Sequence, residues 1–418
     1  MSRHVFLHVG DTHLCSAHPR NADRLAALDQ IIAHARTVEG LAAILWPGDL
    51  YHQKSTVDDR NSLVECVRAF AALAPVLIAY GNHDSLGDLD ILAKLETRWP
   101  VYVIDRPRVA RFETATGVDA AAFVLPYPHK GGLVAAGVEH EQLGQDARGL
   151  LEPVFIAAAH ELQGEAAAGA LTLAIGHVNV GGARSSVGQP QIGREIELDP
   201  GLLARLGFIY VGLNHIHRHQ EIAGAVYAGS VCRMDFGEQE IKGFIEAECV
   251  DGAWDWRFVP LDVPRQLHVE GALTRTGFTV RTVNDEPVST GPDVPGLVLL
   301  GIDDWKDADV RCRYAFKKSE ISALDVAKIH AEFAGCRSLK LDGVPELERE
   351  IRAPEVIAAP TLTAKAEACC RTMGLAVTDG LQAKLAALQT ADADTLMRGV
   401  ALAAEQATQP QRELTEVA

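Results

Sequence analysis

The chain has 418 residues, 48% of them hydrophobic, which is too long for one ordinary domain and leaves room for two or three with sizeable cores. No apolar run approaches the roughly 20 residues of a membrane span, and Met1-Ser2-Arg3-His4 leads into a strand rather than a signal peptide, so a soluble cytoplasmic protein is expected. The formal charge of −17 works against non-specific attraction to nucleic acid, so a DNA substrate would need a local groove, bound metal or a partner to supply positive charge.

In chain order, His4 to Gly10 reads as a first strand that ends at Asp11-Thr12-His13. An Asp and a His two apart can reach one ion, although the same residues also read as a turn and a surface side chain. Asn21 to Thr37 has helical spacing, with Leu25, Leu28, Ile31, Ile32 and Ala35 on one side. Leu41 to Trp46 is a second apolar strand, closed by Gly48-Asp49-Leu50-Tyr51-His52, where glycine allows the sharp turn that projects Asp49. Ser62 to Leu73 predicts a second amphipathic helix. A third strand, Pro75 to Tyr80, then delivers Gly81-Asn82-His83-Asp84. Asn82 offers a neutral oxygen, His83 a titratable nitrogen, and Asp84 a carboxylate able to orient that imidazole. Three strand–helix units in succession argue for a parallel or mixed sheet with right-handed crossovers, with the chemistry beyond the carboxyl ends of the strands.

Short alternating strands are expected between Asp105 and Tyr127, then a Leu125-Pro126-Tyr127-Pro128 corner and a helix from Gln142 to Gly169. Leu171 to Ile175 is a strand ending at Gly176-His177, and Gly207 to Gly212 is another that delivers Asn214-His215-Ile216-His217. The eight cysteines form no Cys-x-x-Cys pair, which suits unpaired thiols in a reducing compartment. His4, His8 and His18 read as structural or solvent-exposed, and His219 as a possible rim residue.

Collected, Asp11, His13, Asp49, Asn82, His177, His215 and His217 suffice for two divalent ions, with Asp49 the natural bridge and His83 left over as a charge-stabilising or proton-donating group. Only two of these seven ligands are anionic, so two divalent ions would leave a surplus of about two positive charges that attracts phosphate. Mixed oxygen and imidazole ligation suits Mn²⁺ and Fe²⁺ as well as Zn²⁺, so the ligands do not fix the metal; two Mn²⁺ ions are the first expectation, with Mg²⁺, Fe²⁺ or Zn²⁺ as alternatives.

The order Asp-x-His, Gly-Asp, Gly-Asn-His-Asp, Gly-His, His-x-His over residues 11 to 217 resembles the calcineurin-like metallophosphoesterases. Within them it looks most like the SbcD-type double-strand-break repair nucleases. The resemblance rests on His52 after Gly-Asp-Leu-Tyr, the Leu125 to Pro128 corner, Asn214 to His217 followed by Gln220, and Tyr227-Ala228-Gly229-Ser230 leading to Asp235-Phe236-Gly237-Glu238.

That resemblance implies an α/β fold, a four-layer αββα sandwich, with a small α/β capping domain and a helical C-terminal tail. One ion would be held by Asp11, His13, Asp49 and His217, the other by Asp49, Asn82, His177 and His215. His83 would be the catalytic histidine, supported by Asp84, and His52 would help place the DNA strand. The family usually has glycine where Asn214 stands, and asparagine is the next-best residue at positive φ.

The expected plan is a nuclease domain over 1–260, an α/β cap over 261–345, a linker over 346–360, a helical partner-binding segment over 361–406 and a disordered tail over 407–418. Within the cap, a helix is expected from Ser319 to Phe333. The implied function is a two-metal DNA nuclease, an exonuclease on double-stranded ends with endonuclease action on single strands as a secondary expectation, working as a homodimer with an SbcC-type coiled-coil ATPase docked on the C-terminal helices. The alternative is a small-molecule phosphodiesterase or phosphatase of the same superfamily, and a non-catalytic scaffold is a further rival.

Overall fold

The computed structural model describes residues 2–128, 146–186, 189, 196–206, 209–284, 286–289, 298–299, 305–346, 353–392, 395 and 398. The tail expected at 407–418 lies outside the described residues, as do 347–352 of the expected linker and 399–406 of the expected helical segment.

The strands, in chain order, are β1 Arg3–His8, β2 Leu41–Pro47, β3 Val76–Ala79, β4 Val101–Ile104, β5 Arg108–Glu113, β6 Asp119–Leu125 and β7 Leu171–His177. Then come β8 Asn179–Val180, β9 Glu197–Leu198, β10 Tyr210–Asn214, β11 Gln220–Ile222, β12 Ala225–Tyr227, β13 Gly243–Val250 and β14 Ala253–Pro260. Three helices flank them: α1 Asn21–Ala35, α2 Val57–Ala71 and α3 Asp146–Ala167.

One sheet has the order β14-β13-β1-β2-β3-β4, in which β1 to β4 run parallel and β13 returns antiparallel to β1. A second has the order β11-β12-β10-β7-β6-β5, parallel through β12, β10, β7 and β6. Alternation along β1 explains how both faces of the first sheet are used. Val5 and Leu7 join Ile44 and Trp46 in a core with Leu28, Ile31 and Ile32 of α1 and Leu63, Val67 and Phe70 of α2. Phe6 faces the other way, with Leu45 and Leu77, and meets Phe112, Ala122, Leu173 and Ile175 of the second sheet. The far face of that sheet, through Phe123, Leu125 and Ala174, packs on Leu151, Phe155 and Leu162 of α3. Strands buried on both faces read as unbroken apolar runs, which is why β2 and β7 are so plain in the sequence.

The start of α2 lies earlier than the expected Ser62. Thr56 caps it, accepting from Asp59 N while the Asp59 side chain accepts from Thr56 N, and this box precedes the apolar spacing that marks the helix body. The hairpin β13–β14 and the strand β4 were not anticipated. In β14 each Trp is followed by a charged residue, as in Trp254-Asp255-Trp256-Arg257, an edge-strand pattern that composition alone conceals.

A third sheet has the order β18-β17-β16-β15-β19-β20, built from β15 Gln266–Leu273, β16 Phe278–Val283, β17 Glu286–Ser289, β18 Val298–Leu299, β19 Asp309–Lys317 and β20 Ser338–Glu346. Its core gathers Val269, Val310 and Cys312 with Trp305, Ile329 and Phe333. The helix expected over Ser319 to Phe333 is instead a 3₁₀ turn at Lys318–Ala323 and a short α-helix at Ala327–Glu332. Leu324 between them is extended, and the Asp325 side chain accepts from Ala327 N to start the second piece.

Contacts divide the chain into Met1–Pro345 and Glu346–Ala418. In the second unit the stretch expected to be a linker holds a helix, Pro354–Ala358, begun by a proline whose fixed φ suits the first helical turn. The expected single helical stretch is two helices, Leu362–Thr372 and Asp379–Thr390. Gly374 at φ 67° ends the first, and the Thr378 side chain caps the second. The cysteines are free, and no helix among the described residues is long and apolar enough to cross a membrane.

Candidate metal centre and active site

The loops beyond the carboxyl ends of β1, β2, β3, β7 and β10 converge, and two glycines set how closely. Gly48 has φ 97°, and a Cβ there would meet the His177 imidazole and the Gly81 backbone. A Cβ at Gly81 would collide with the Asp49 backbone and carboxylate. The two loops therefore touch glycine to glycine, and Asp49 turns inward between them. His13, Asp49 and His215 themselves adopt left-handed backbone, at φ 48°, 52° and 99°. Non-glycine residues in this region are strained, and such strain collects at functional sites.

The structure brings all seven residues singled out as ligands into one connected cluster. His13 Nε2 lies 3.5 Å from Asp49 Oδ2 and 3.1 Å from His217 Nε2. His177 Nε2 lies 3.3 Å from Asp49 Oδ2 and 2.9 Å from Asn82 Oδ1, and His215 Nδ1 is 3.0 Å from the same Asn82 oxygen. Asp11 stands 3.7 Å from His177 Nδ1 and accepts from the backbone N–H of His215 at 3.2 Å. Asp11, Asp49 and His177 are fully buried and offer ligand atoms within 4.8 Å of one another.

The donor set suits a cation. His177 Nδ1 donates to the Pro47 carbonyl at 2.7 Å, so its Nε2 is the nitrogen that faces inward, against a carboxylate and an amide oxygen. His217 Nδ1 faces Glu238 Oε1 at 3.3 Å, which leaves Nε2 toward His13. A main-chain carbonyl or carboxylate behind the imidazole is the usual way a metal-ligating histidine is oriented. So many lone pairs converging in a buried space call for positive charge between them.

The titration behaviour agrees. Burial alone would lower the His177 pKa, but Asp49, Asp11 and the Pro47 carbonyl push it up to about 9. Burial works against ionisation of Asp49 too, yet His177 and His13 hold it far below the ordinary carboxylate range. Asp11 moves the other way, raised by burial and by the neighbouring Asp49 charge, as expected when two carboxylates share one site. His13 is held well below its usual value, first by burial.

His83 donates its backbone N–H to Asp49 Oδ1 at 2.9 Å and its Nδ1–H to the His52 carbonyl at 2.6 Å. Its ring stacks on that of His52 with centroids 5.6 Å apart and stands 4.7 Å from that of His13. The expectation that Asp84 supports the His83 ring is corrected here. The buried Asp84 carboxylate accepts from the backbone N–H groups of Tyr51 at 3.0 Å and Gly81 at 2.9 Å, and so ties two loops together instead. Burial and Asp49 raise its pKa to about 7. The reason given for Asn214 also fails. Asn214 is extended within β10, and its side chain meets His8 Nε2 at 3.0 Å and the Val9 carbonyl at 3.1 Å. The left-handed residue is the next one, His215.

Tyr127, carried by the Leu125 to Pro128 corner, lies over His215 with centroids 5.4 Å apart. His219 stacks on Phe258 at 4.2 Å, bonded to the Tyr227 carbonyl. Three contributors escaped the sequence reading. Arg24, buried on α1, donates to the His13 carbonyl and remains a cation although burial lowers its pKa to about 10. Gln189 donates to the His215 carbonyl at 2.6 Å and accepts from the His217 N–H at 3.2 Å. Glu238 stands behind His217. Only Glu238 had left a sequence signal, as part of the Asp235 to Glu238 motif.

Comparison with curated proteins gives no match to this chain. The calcineurin-like phosphoesterase family matches residues 4–206, a span that holds Asp11, His13, Asp49, Asn82, His83 and His177 and ends before His215 and His217. The family is one of metal-dependent hydrolases, and the Asp11, Asp49 and His177 cluster can bind a metal. A calcineurin-like phosphoesterase domain therefore spans residues 4–206 of the chain.

Proposed function

We propose that this chain is a two-metal phosphodiesterase whose substrate is DNA: an SbcD-like nuclease subunit of a repair complex. The observation that carries the chemistry is the convergence of Asp11, His13, Asp49, Asn82, His177, His215 and His217 with His83 beside them. Contacts join His13 and His217 on one side of Asp49 and Asn82, His177 and His215 on the other. The resemblance assigns Asp11, His13, Asp49 and His217 to one ion and Asp49, Asn82, His177 and His215 to the other, while Asp11 itself contacts His177 and the His215 N–H. Mn²⁺ suits both sets. Such a pair of ions supplies Lewis acidity and charge neutralisation for in-line displacement at a phosphodiester. With Nδ1 committed to the His52 carbonyl, His83 has Nε2 left for substrate. There it would donate a proton to the leaving oxygen as water, attacking phosphorus from the opposite side and losing its own proton to solvent, forms the new P–O bond and the old one breaks. Asp84 keeps the two loops in register, and His52, stacked on His83, sits where it can steer the strand.

The DNA reading is supported by the motif resemblance and by the third sheet and the second unit, which follow the phosphoesterase domain and have no evident use on a small substrate. In this reading the four-layer sandwich extends to residue 260, the third sheet is the cap that orients DNA, and residues 361–406 dock on an SbcC-type ATPase. The chain then works as a cytoplasmic homodimer. The charge of −17 favours the rival, a small-molecule phosphodiesterase. Digestion of end-labelled double-stranded DNA in Mn²⁺, run beside bis(p-nitrophenyl) phosphate and with His83→Ala as control, separates them. DNA degradation that disappears in the variant is expected. Turnover of the small ester alone would move the function to the rival reading.

A further inference from the structure

Behind His217 lies a buried ion pair that no step of the proposed chemistry uses. Glu238 and Lys242 have side chains only 1% exposed, four residues apart on the segment that leads into β13. Glu238 Oε1 faces His217 Nδ1 at 3.3 Å. Its other oxygen accepts from Lys242 Nζ at 2.7 Å and from the Met234 N–H at 2.9 Å. Lys242 Nζ in turn donates to the His217 main-chain carbonyl at 3.0 Å and to Glu240 at 3.1 Å. The same histidine is thus gripped twice, at its ring nitrogen by the carboxylate and at its carbonyl by the ammonium.

A buried ion pair of this kind seldom adds net stability over an apolar pair of the same size, so its presence calls for another reason. Here the reason is geometric. A carboxylate at Nδ1 fixes the tautomer with the proton on Nδ1, so Nε2 presents its lone pair toward His13 and the shared space. Lys242 holds Glu238 in place at 2.7 Å, and by holding the His217 carbonyl at 3.0 Å it also fixes the backbone from which the ring projects. Gln189 completes the grip by bonding to the His217 N–H.

We propose that Glu238 and Lys242 act together as positioning residues that set the tautomer and direction of His217 and thereby the affinity for one of the two divalent ions. This rests on the metal-centre reading above, and the test separates the two. Mn²⁺ binding to the metal-depleted full-length protein is measured by calorimetry, alongside Co²⁺ titration followed in the visible. Wild type is compared with Glu238→Gln and with Glu246→Gln. Glu246 is another low-exposure carboxylate, paired with Arg3, His34 and Arg257 away from the site, and controls for general loss of a paired carboxylate.

The expected result is that Glu238→Gln weakens one of two binding events by about 10- to 100-fold and alters the Co²⁺ band, while Glu246→Gln leaves both unchanged. If Glu238→Gln does not fold, the double variant Glu238→Gln/Lys242→Met removes both charges together and is expected to fold with the same weakened site. Wild-type affinity in whichever of these variants folds overturns the positioning role. Absence of divalent binding by the wild type overturns instead the metal centre on which the role depends.

Discussion

His177 meets two demands at once, since its Nδ1 is committed to the Pro47 carbonyl and its Nε2 must serve whatever cation occupies the space beside Asp49. With the pKa raised to about 9, that cation is a proton in the metal-free protein at neutral pH. The folded value lies above the unfolded one of about 6.5, so the stabilisation from the His177–Asp49 pair is fully present below about pH 6.5 and is lost as pH rises through about 9. A divalent ion must displace the proton, so affinity is expected to rise with pH up to about 9. Calorimetry in buffers of different ionisation enthalpy at pH 7 should show proton release on Mn²⁺ binding, and pH-independent affinity would contradict it. At this scale the sequence was informative about which residues gather and less so about how they are held. Asp11, Asp49 and His177 could be picked out because each follows a strand and a glycine or an Asp-x-His spacing. Asp84 was assigned to the wrong partner, because the nearest side chain in sequence is His83 whereas the nearest unsatisfied donors are two backbone N–H groups on separate loops.

Among the elements, α2 shows how a helix terminus can serve a site it does not enter. Asp59 closes the capping box with Thr56 and also accepts from Ser16 N, in the loop that carries Asp11 and His13 out of β1. Asp59→Ala leaves the Thr56 cap but opens the other half of the box and strands the backbone N–H groups of Thr56 and Ser16, so a loss of about 2–3 kcal/mol in denaturant unfolding is expected. Mn²⁺ affinity should also fall as the His13 loop relaxes, and a loss of stability with affinity intact would confine Asp59 to the helix. The parallel strands were legible because burial on both faces makes them almost continuously apolar. The edge strand β14 was not, because half-exposed aromatics between charges carry no such run. The breaks at Leu324 and Gly374 went unread for a related reason: helical spacing persists through a turn that backbone geometry interrupts.

For the whole molecule, the third sheet is tied to α1 through Arg337, which holds Asp309 at the start of β19 and reaches Asp23 with two hydrogen bonds of 2.6 and 2.7 Å. Asp309 is held below the ordinary range, the pull of Arg337 and Ser338 exceeding the effect of burial. Such long-range pairings, 314 residues apart for Arg337 and Asp23, are invisible to any local pattern, which is why this fastening could not be read from the sequence. The left-handed backbone at His13, Asp49 and His215 bears on the molecule as a whole. Strain of this type amounts to about 1–3 kcal/mol per residue. Glycine at position 215 would relieve it, whereas alanine there would not. Metal-free His215→Gly should therefore be more stable than His215→Ala by about 1–3 kcal/mol in chemical denaturation, since both lose the same imidazole; equal values would mean that the backbone at 215 is relaxed. A population of variants selected for heat resistance alone would then drift away from this histidine, and only selection that includes turnover would retain it.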